Sequence, residues 1–496
     1  MLQPWYVRSR PLAHRTGSEI FQALYGQPRT GEHTGTTPGD WAAIATLLES
    51  PYPLPSGVPQ SRVARYSICA GPPRWMHDQP QVWTPPVGDI LPMLRDRLAT
   101  PQPPAPLLTE HGEPLTTPLE PFAGGWLGWL GYDLAWEIEA LPTQNPDPLP
   151  FPVAFWYEPA TFAVLDHQTQ RLWLAASTVP QLAAMETAIA HCTPAPTPPP
   201  AALTDLTLAT AQAAYEAAVC QAQAYIQAGD IFQANLSLRF AAHTPADSWA
   251  VYQRLHGINP SPFASYWRTP WGAVISCSPE RLVSLRGDRA ETRPIAGTRP
   301  RGHTPQQAAA LASELLNNRK ERAEHIMLVD LERNDLGRVC TWGSVHVDEL
   351  MTLEPYSHVI HLVSNVVGTL APGKTAIDLI QATFPGGTIT GCPKVRCMEI
   401  IEELETVRRS LFYGSCGYLD WRGHLDLNIL IRTLLWGASP RQGLHPIWGQ
   451  VGAGIVADSQ PQQEWHEALQ KAQAQLLAMG LPLGVGTGEE GDAKPL

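Results

Sequence analysis

The stretch TPAPTPPPAALTD, Thr193 to Asp205, constrains this chain more than any other. Proline fixes φ and lacks an amide donor, so the run fits neither a helix interior nor a central strand. It reads as a surface connector, with an amino-terminal region 1–192 before it and a more regular region 206–480 after it. The final residues, 481–496, contain VGTGEEGDAKPL and read as a disordered tail. A length of 496 residues exceeds what one small core needs, which leaves two lobes or one large interleaved α/β body open.

Charge narrows the partners. There are 34 Lys and Arg against 46 Asp and Glu, a formal charge of -12, with no basic run to track a phosphate backbone, so nucleic acid is not expected. The opening MLQPWYVRSR has no apolar signal region, and no stretch approaches the ~18 apolar residues of a membrane span. A cytoplasmic protein without membrane contact is expected. The eight cysteines are scattered, and Cys392 with Cys397 lacks the second pair of a zinc ribbon.

Local patterns place the elements. FAGGWLGWLGYDLAWEIE, from Phe122, alternates glycine with tryptophan as in a tightly packed strand and turn. The Ala-rich run after Ala209 predicts a helix ending near Gly229, then a short strand about Phe232–Phe240. GAVISCSPERLVSL predicts strand, and GYLDWRGHLDLNILIRTLLW predicts a hairpin turning near Gly423, with Leu425, Leu427, Ile429 and Ile431 alternating and Arg432 ending the strand. One long helix is predicted from Thr304, its N-cap, with Pro305 in first position, through to the ERND stretch. The same grammar recurs from Ser459, with Trp465, Leu469, Ala472 and Leu476 on one face.

Chemistry-bearing residues fall on these elements. Glu321 and Glu324 share a helical face, as do Glu464 and Glu467. Each pair alone is an ordinary solvated face; if the two converge, repulsion calls for a cation, and a hard Mg2+ suits carboxylates. Arg432 and Gly452–Ala453–Gly454 could receive a carboxylate, although two glycines also suit a loop needing positive φ. FPGGTITGCPKVR offers Lys394 to an anion, or is a plain loop opening a helix. Of His358 and His361, one is expected to handle protons and one to pack. Glu280, in SPE, places a carboxyl at a strand end, as a cap or an ion-pair partner.

With FQANLSLRF, RPIAGTRPRG, EHIMLVDLERNDLGRV, PYSHVIHLVSNVVG and GAGIVADSQPQQEWHE, these stretches follow the order of the chorismate-utilising enzymes, which the chain resembles from about Ala209 to Gln473. LLESPYP and GGWLGWLGYDLAWEIE resemble, more weakly, the amino-terminal region of component I of anthranilate synthase and of aminodeoxychorismate synthase. The resemblance implies one interwoven α/β body, with two large sheets forming a sandwich and helices outside. It implies Glu324 and Glu467 as Mg2+ ligands with Glu321 and Glu464 beside them. It also implies substrate contacts from Gly297, Thr298, Arg432 and Gly452 to Gly454, and from Phe412, where relatives often carry Tyr or Trp. His361 matches the histidine that protonates the departing C4 hydroxyl of chorismate. Ser50, Pro262 and Phe263 resemble part of an amino-acid effector site.

Two positions bear on the nucleophile. Isochorismate- and salicylate-forming relatives carry a lysine base where this chain has Gln233, and an amide cannot deprotonate water. Ammonia is therefore expected, and without a GxCxG elbow in the chain, a separate glutamine amidotransferase subunit is implied. Many aminodeoxychorismate synthases carry a nucleophilic lysine at the position of Ala296, so alanine favours the direct anthranilate route. GGTITGCPK, QANLS and NPSPFASY lean the other way, and aminodeoxychorismate formation is the expected activity with anthranilate formation as the alternative. A silent chorismate- or amino-acid-binding module would lack a carboxylate pair or His361, and neither is missing.

Overall fold

A computed structural model describes residues 3–26, 41–52, 64–99, 107–116, 119–191, 199, 203–302, 304–355 and 359–481. His358, most of the connector and nearly all of the tail 481–496 lie outside the described residues.

The glycines of the strand Gly125–Leu130 leave room for close neighbours, Gly125 for the Leu419–Asp420 backbone and Gly128 for the Trp156 indole. A methyl group added at Gly128 would lie 2.5 Å from the Trp156 ring and 2.2 Å from the Phe155 carbonyl oxygen. The strand thereby pairs closely with Ala154–Tyr157 and turns Trp129 inward, 5.9 Å from Trp267 at an interplanar angle of 83°. Trp267 belongs to a different sheet. Such edge-to-face pairs join the faces of two sheets in a sandwich.

Among the described residues, the two large sheets have 13 and 10 strands, and a third has 2. The larger runs from Thr204–Leu208 through Gln233–Thr244, His445–Ile455, Thr433–Gly437, Gly272–Ser278 and Phe263–Thr269 to Ala45–Glu49 and the remaining amino-terminal strands. The smaller runs from Ile295–Pro300 through Val359–Thr369, Arg289–Arg293, Arg281–Arg286, Leu425–Asn428 and Ser415–Asp420 to Gly125–Leu130 and its neighbours. Both sheets take strands from each side of the connector, so regions 1–192 and 206–480 interleave in one body.

Between the sheets lies an apolar core that includes Trp5, Phe162, Trp267, Trp129, Val283 and Leu427. The other face of the larger sheet is covered by helices, among them Gln212–Ala228, Ser248–Ile258 and Pro461–Ala478. No helix among the described residues is long and apolar enough to cross a membrane, and the seven described cysteines are free.

Several local expectations hold. Gly229 ends its helix in the left-handed region at φ 84°, Thr304 caps with Pro305 behind it, and the hairpin turns at Gly423, φ 81°. Three differ. The single long helix is two, Pro305–Asn317 and Arg319–Gly337, because Asn318 takes an extended conformation and its side chain caps the second by accepting from the Glu321 amide. GAVISCSPERLVSL forms two strands, Gly272–Ser278 and Arg281–Arg286, which lie in different sheets. The strand expected to end at Arg432 stops at Asn428, and the chain then crosses to the larger sheet.

Because an N-cap side chain satisfies an otherwise unpaired helix donor, Asn318→Ala is expected to cost ~1 kcal/mol. A lowered midpoint in urea denaturation would show it; an unchanged midpoint would mean that packing alone sets the break.

Candidate active site

Strand pairing brings the first groups together. Gln233 opens the strand Gln233–Thr244, whose neighbour His445–Ile455 carries Gly452 and Gly454. The amino-terminal turns of the helix Arg319–Gly337 reach this strand pair, and Gln233 Nε2 donates to Glu324 Oε1 at 3.0 Å. A methyl group at Gly454 would sit 2.6 Å from that nitrogen and 3.7 Å from the Glu324 oxygen. At Gly452 it would meet the Leu236 carbonyl at 2.5 Å, Asn235 Oδ1 at 2.9 Å and the Tyr413 hydroxyl at 3.0 Å. Gly452 and Gly454 are thus glycine for close approach within a strand; neither has the positive φ of a loop. Ala453 between them is fully buried in the core under the outer helices, which leaves only its backbone to face the opposite side.

Gly297 differs. It sits at a bulge in Ile295–Pro300 with φ 78°, and an added methyl would come within 2.9 Å of Glu321 Oε2. Glu321 also accepts from Arg299 Nη1 at 3.0 Å. Thr298 pairs through its backbone with His361 on Val359–Thr369, and Ala296, buried, pairs with Leu362. Burial, then the nearby Arg432 charge, hold the His361 imidazole down at about 4, opposed by a hydrogen bond to the Gly297 backbone. Burial and Arg432 together therefore favour the neutral imidazole of His361 near pH 7.

The two carboxylate pairs do share surroundings. Burial raises Glu324 and Glu464; the neighbouring Glu321 and Glu467 add to this, while Lys320 and Lys471 lower both. Lys471 bridges the two ends of the site: its Nζ is 2.8 Å from Glu467 Oε1 and donates to the Gly452 carbonyl at 3.1 Å. Arg432, at φ 52°, donates from Nη1 to the Lys471 carbonyl at 2.5 Å. Among the described residues no three Cys, His, Asp or Glu side chains form a ready metal cluster. The donor set is nevertheless carboxylate-only and crowded with like charge, which suits a hard divalent cation through Glu324 and Glu467.

Two expected contacts fall elsewhere. Lys394 is no anion cradle: its Nζ pairs with Asp335 Oδ2 at 2.7 Å and donates to the Thr383 carbonyl at 3.0 Å. Phe412 is buried with Arg239 over its ring at 5.5 Å. The aromatic that reaches Gly452 is its neighbour Tyr413, φ 64°, so this contact carries a hydroxyl that Phe412 lacks. Ser50, Pro262 and Phe263 line a separate cavity with Glu49, Arg281 and Asp426. Arg281 lies over the Phe263 ring at 5.2 Å and pairs with Asp426.

Sequence reading did not single out Lys471 or Lys320, although the first stands four residues from Glu467 and the second beside Glu321. Glu280 also gains weight. Its carboxyl is buried and is pushed up to about 7 by lost hydration, opposed by the backbone of Ile295 next to Ala296.

The family model described as chorismate binding enzyme matches residues 75–477. An anthranilate synthase component I-like protein of Synechocystis is 57% identical over 96% of this chain and 92% of its own length. Aminodeoxychorismate synthase component 1 of Bacillus subtilis is 44% identical over 73% of this chain and 78% of its own. Anthranilate synthase component 1 of Synechocystis is 42% identical over 75% and 79%. The crystal structure of anthranilate synthase component I from Streptococcus pneumoniae superposes with a TM-score of 0.70 at 31% identity, covering 84% of this chain and 93% of that one.

The folded pKa of Glu280 lies above its unfolded value of 4.5, so the buried charge penalises the fold above about pH 7 and the penalty vanishes as pH falls towards 4.5. Glu280→Gln is expected to stabilise the protein at pH 8, by at most about 3 kcal/mol, and not at pH 4.5. Thermal unfolding at both values checks this; an equal difference at each would refute the buried charge.

Proposed function

The chain belongs to the chorismate binding enzymes, and from that premise we propose that it is the component I subunit of an aminodeoxychorismate synthase. It would replace the C4 hydroxyl of chorismate by an amino group, on the way to p-aminobenzoate and folate. The observation that carries amination is the Gln233–Glu324 contact. An amide stands there with its nitrogen donating, and an amide cannot activate water. The nucleophile then has to arrive uncharged and already nucleophilic, as ammonia does, from a separate glutamine amidotransferase subunit.

The divided site suits a substrate with two carboxylates. Arg432 and the backbone of Gly452–Gly454 would take one. Magnesium, held by Glu324 and Glu467 with Glu321 and Glu464 beside them, would supply positive charge for the other. As the new C–N bond forms, the C4–O bond breaks and its electron pair leaves with a proton as water. His361 can deliver that proton once the bound carboxylate offsets Arg432, and Glu280, protonated up to about 7 beside Ala296, is the second proton-bearing group.

For the product, the chain is 57% identical to the anthranilate synthase component I-like protein of Synechocystis but 42% to the anthranilate synthase component 1 of the same organism. That difference supports a role other than anthranilate synthesis, as do GGTITGCPK, QANLS and NPSPFASY. Ala296 favours a second reading. A buried methyl group offers no amine for a covalent step, and direct attack of ammonia at C2 would yield anthranilate and pyruvate.

Incubation of the purified chain with chorismate, Mg2+ and an ammonium salt at high pH separates the two. A non-aromatic amino product that keeps its enolpyruvyl group is expected; anthranilate with pyruvate as the sole products would overturn the first reading in favour of the second. Glu324→Gln and Glu467→Gln are each expected to abolish turnover, because an amide keeps the shape but loses the ligand charge. His361→Ala is expected to lower kcat by ~10²-fold. Full activity in any of the three would remove that residue from the site.

A further inference from the structure

Glu321 and Glu324 sit on a helix whose rotation apolar packing alone specifies poorly. Arg319–Gly337 lays Leu328, Val329 and Leu336 into the interior, and contacts of that kind are non-directional. Of its directional contacts, the Gln233–Glu324, Arg299–Glu321 and Lys394–Asp335 pairs among them, one ties the helix to the strand Val359–Thr369 through fully buried groups. His325, fully buried, places Nε2 2.6 Å from Oγ of Ser364, which is fully buried on the strand Val359–Thr369. The same oxygen accepts the backbone N–H of Met351 at 2.9 Å. Met351 has φ 53° and lies where its strand shifts register between Glu349 and Thr352. Among the described residues the other ring nitrogen, Nδ1, is buried without a hydrogen-bond partner. An imidazole with one nitrogen unmet costs free energy that a leucine would not, so packing does not account for histidine at this position.

We propose that the His325–Ser364 hydrogen bond is a pin that sets the rotation of the helix Arg319–Gly337 on the strand Val359–Thr369 and thereby aims Glu321 and Glu324 into the site. What those carboxylates hold rests on the chorismate-amination reading; the pin itself does not. His325 follows Glu324 directly and stands one turn beyond Glu321, so a slip of one residue, about 100° of rotation, would turn a carboxylate towards the sheet. Ser364 is three residues from His361 on its strand, so one contact references both halves of the site to each other. A serine hydroxyl serves well because it complements either imidazole tautomer, donating to a bare Nε2 or accepting from N–H on its second lone pair. A single polar contact in an apolar interface specifies register at some cost in stability, as in coiled coils. His325 is thus a positioning residue that need not touch substrate.

The test compares His325→Leu, His325→Gln, Ser364→Ala and the His325→Leu/Ser364→Ala double variant in the full chain. Amide hydrogen exchange without ligand is read first. Exchange over residues 319–327 should quicken in His325→Leu and Ser364→Ala and return towards wild type in His325→Gln, whose amide can again bond Ser364. In chorismate consumption, His325→Leu should lose ~10²-fold in kcat, the scale of a displacement of about 1 Å. Ser364→Ala should lose a similar factor, and the double variant no more than either single, since both remove one interaction. Wild-type exchange in His325→Leu, fully additive losses, or no recovery by glutamine would overturn the pin. A wild-type chain that consumes no chorismate would instead overturn the proposed function, and the exchange data would still decide the pin.

Discussion

Two chain segments cross between the sheets side by side, and the cavity depends on that crossing. Gly272–Ser278 and Thr433–Gly437 pair in the larger sheet, and their continuations Arg281–Arg286 and Leu425–Asn428 pair in the smaller one. Backbone polar groups in a buried corner have to be paired, and here the two segments pair each other. The Cys277 amide donates to the Arg432 carbonyl at 3.2 Å, the Ile429 amide to the Glu280 carbonyl at 3.0 Å, and Ser278 Oγ to the Ile429 carbonyl at 2.6 Å. Glu280 and Arg432 owe their places to this corner. The left-handed φ at Arg432, disfavoured for a side chain with a Cβ, is tolerated because the paired segments on both sides determine its path.

Burial is the main electrostatic force in the site. It raises Glu280, Glu324 and Glu464 and lowers His361 and Arg432. Every one of these shifts disfavours a charge. An anionic ligand with a cation would reverse several of them together, since each partner supplies the counter-charge that the protein interior withholds. Lys471 marks the boundary between the acidic helix ends and the glycine strand, bonded to Glu467 on one side and Gly452 on the other.

The effector-like cavity stands on the same crossing. Arg281 lines it while the preceding Glu280 meets the backbone of Ile295 next to Ala296. Adjacent residues of one chain thus face different surroundings, and Arg281 is held in place by its pairs with Asp426 and Glu291.

Sequence alone determined what depends on neighbours in the chain. Thr304 with Pro305 starts a helix, Gly229 ends one and Gly423 turns a hairpin, because caps and positive φ are satisfied within a few residues. It also determined the inventory of the site, since two carboxylate pairs, Arg432 and the glycines of 452–454 lie in short motifs. Tertiary structure decided which of these groups meet. Asn318 caps where the long helical pattern predicted continuity, because a cap is decided by where the packed helix has to point. Lys394 fits an anion loop in sequence, yet Asp335 from another helix takes its charge. Phe412 and Tyr413 are adjacent and aromatic, and only the path of the chain at φ 64° brings the hydroxyl of the second to Gly452. Gly452 and Gly454 could each have been loop glycines; a strand neighbour's carbonyl and the Gln233 amide, from residues some two hundred positions away, are what forbid a side chain there. Contacts between distant segments arise from packing two sheets and their helices at once, and no local pattern encodes them.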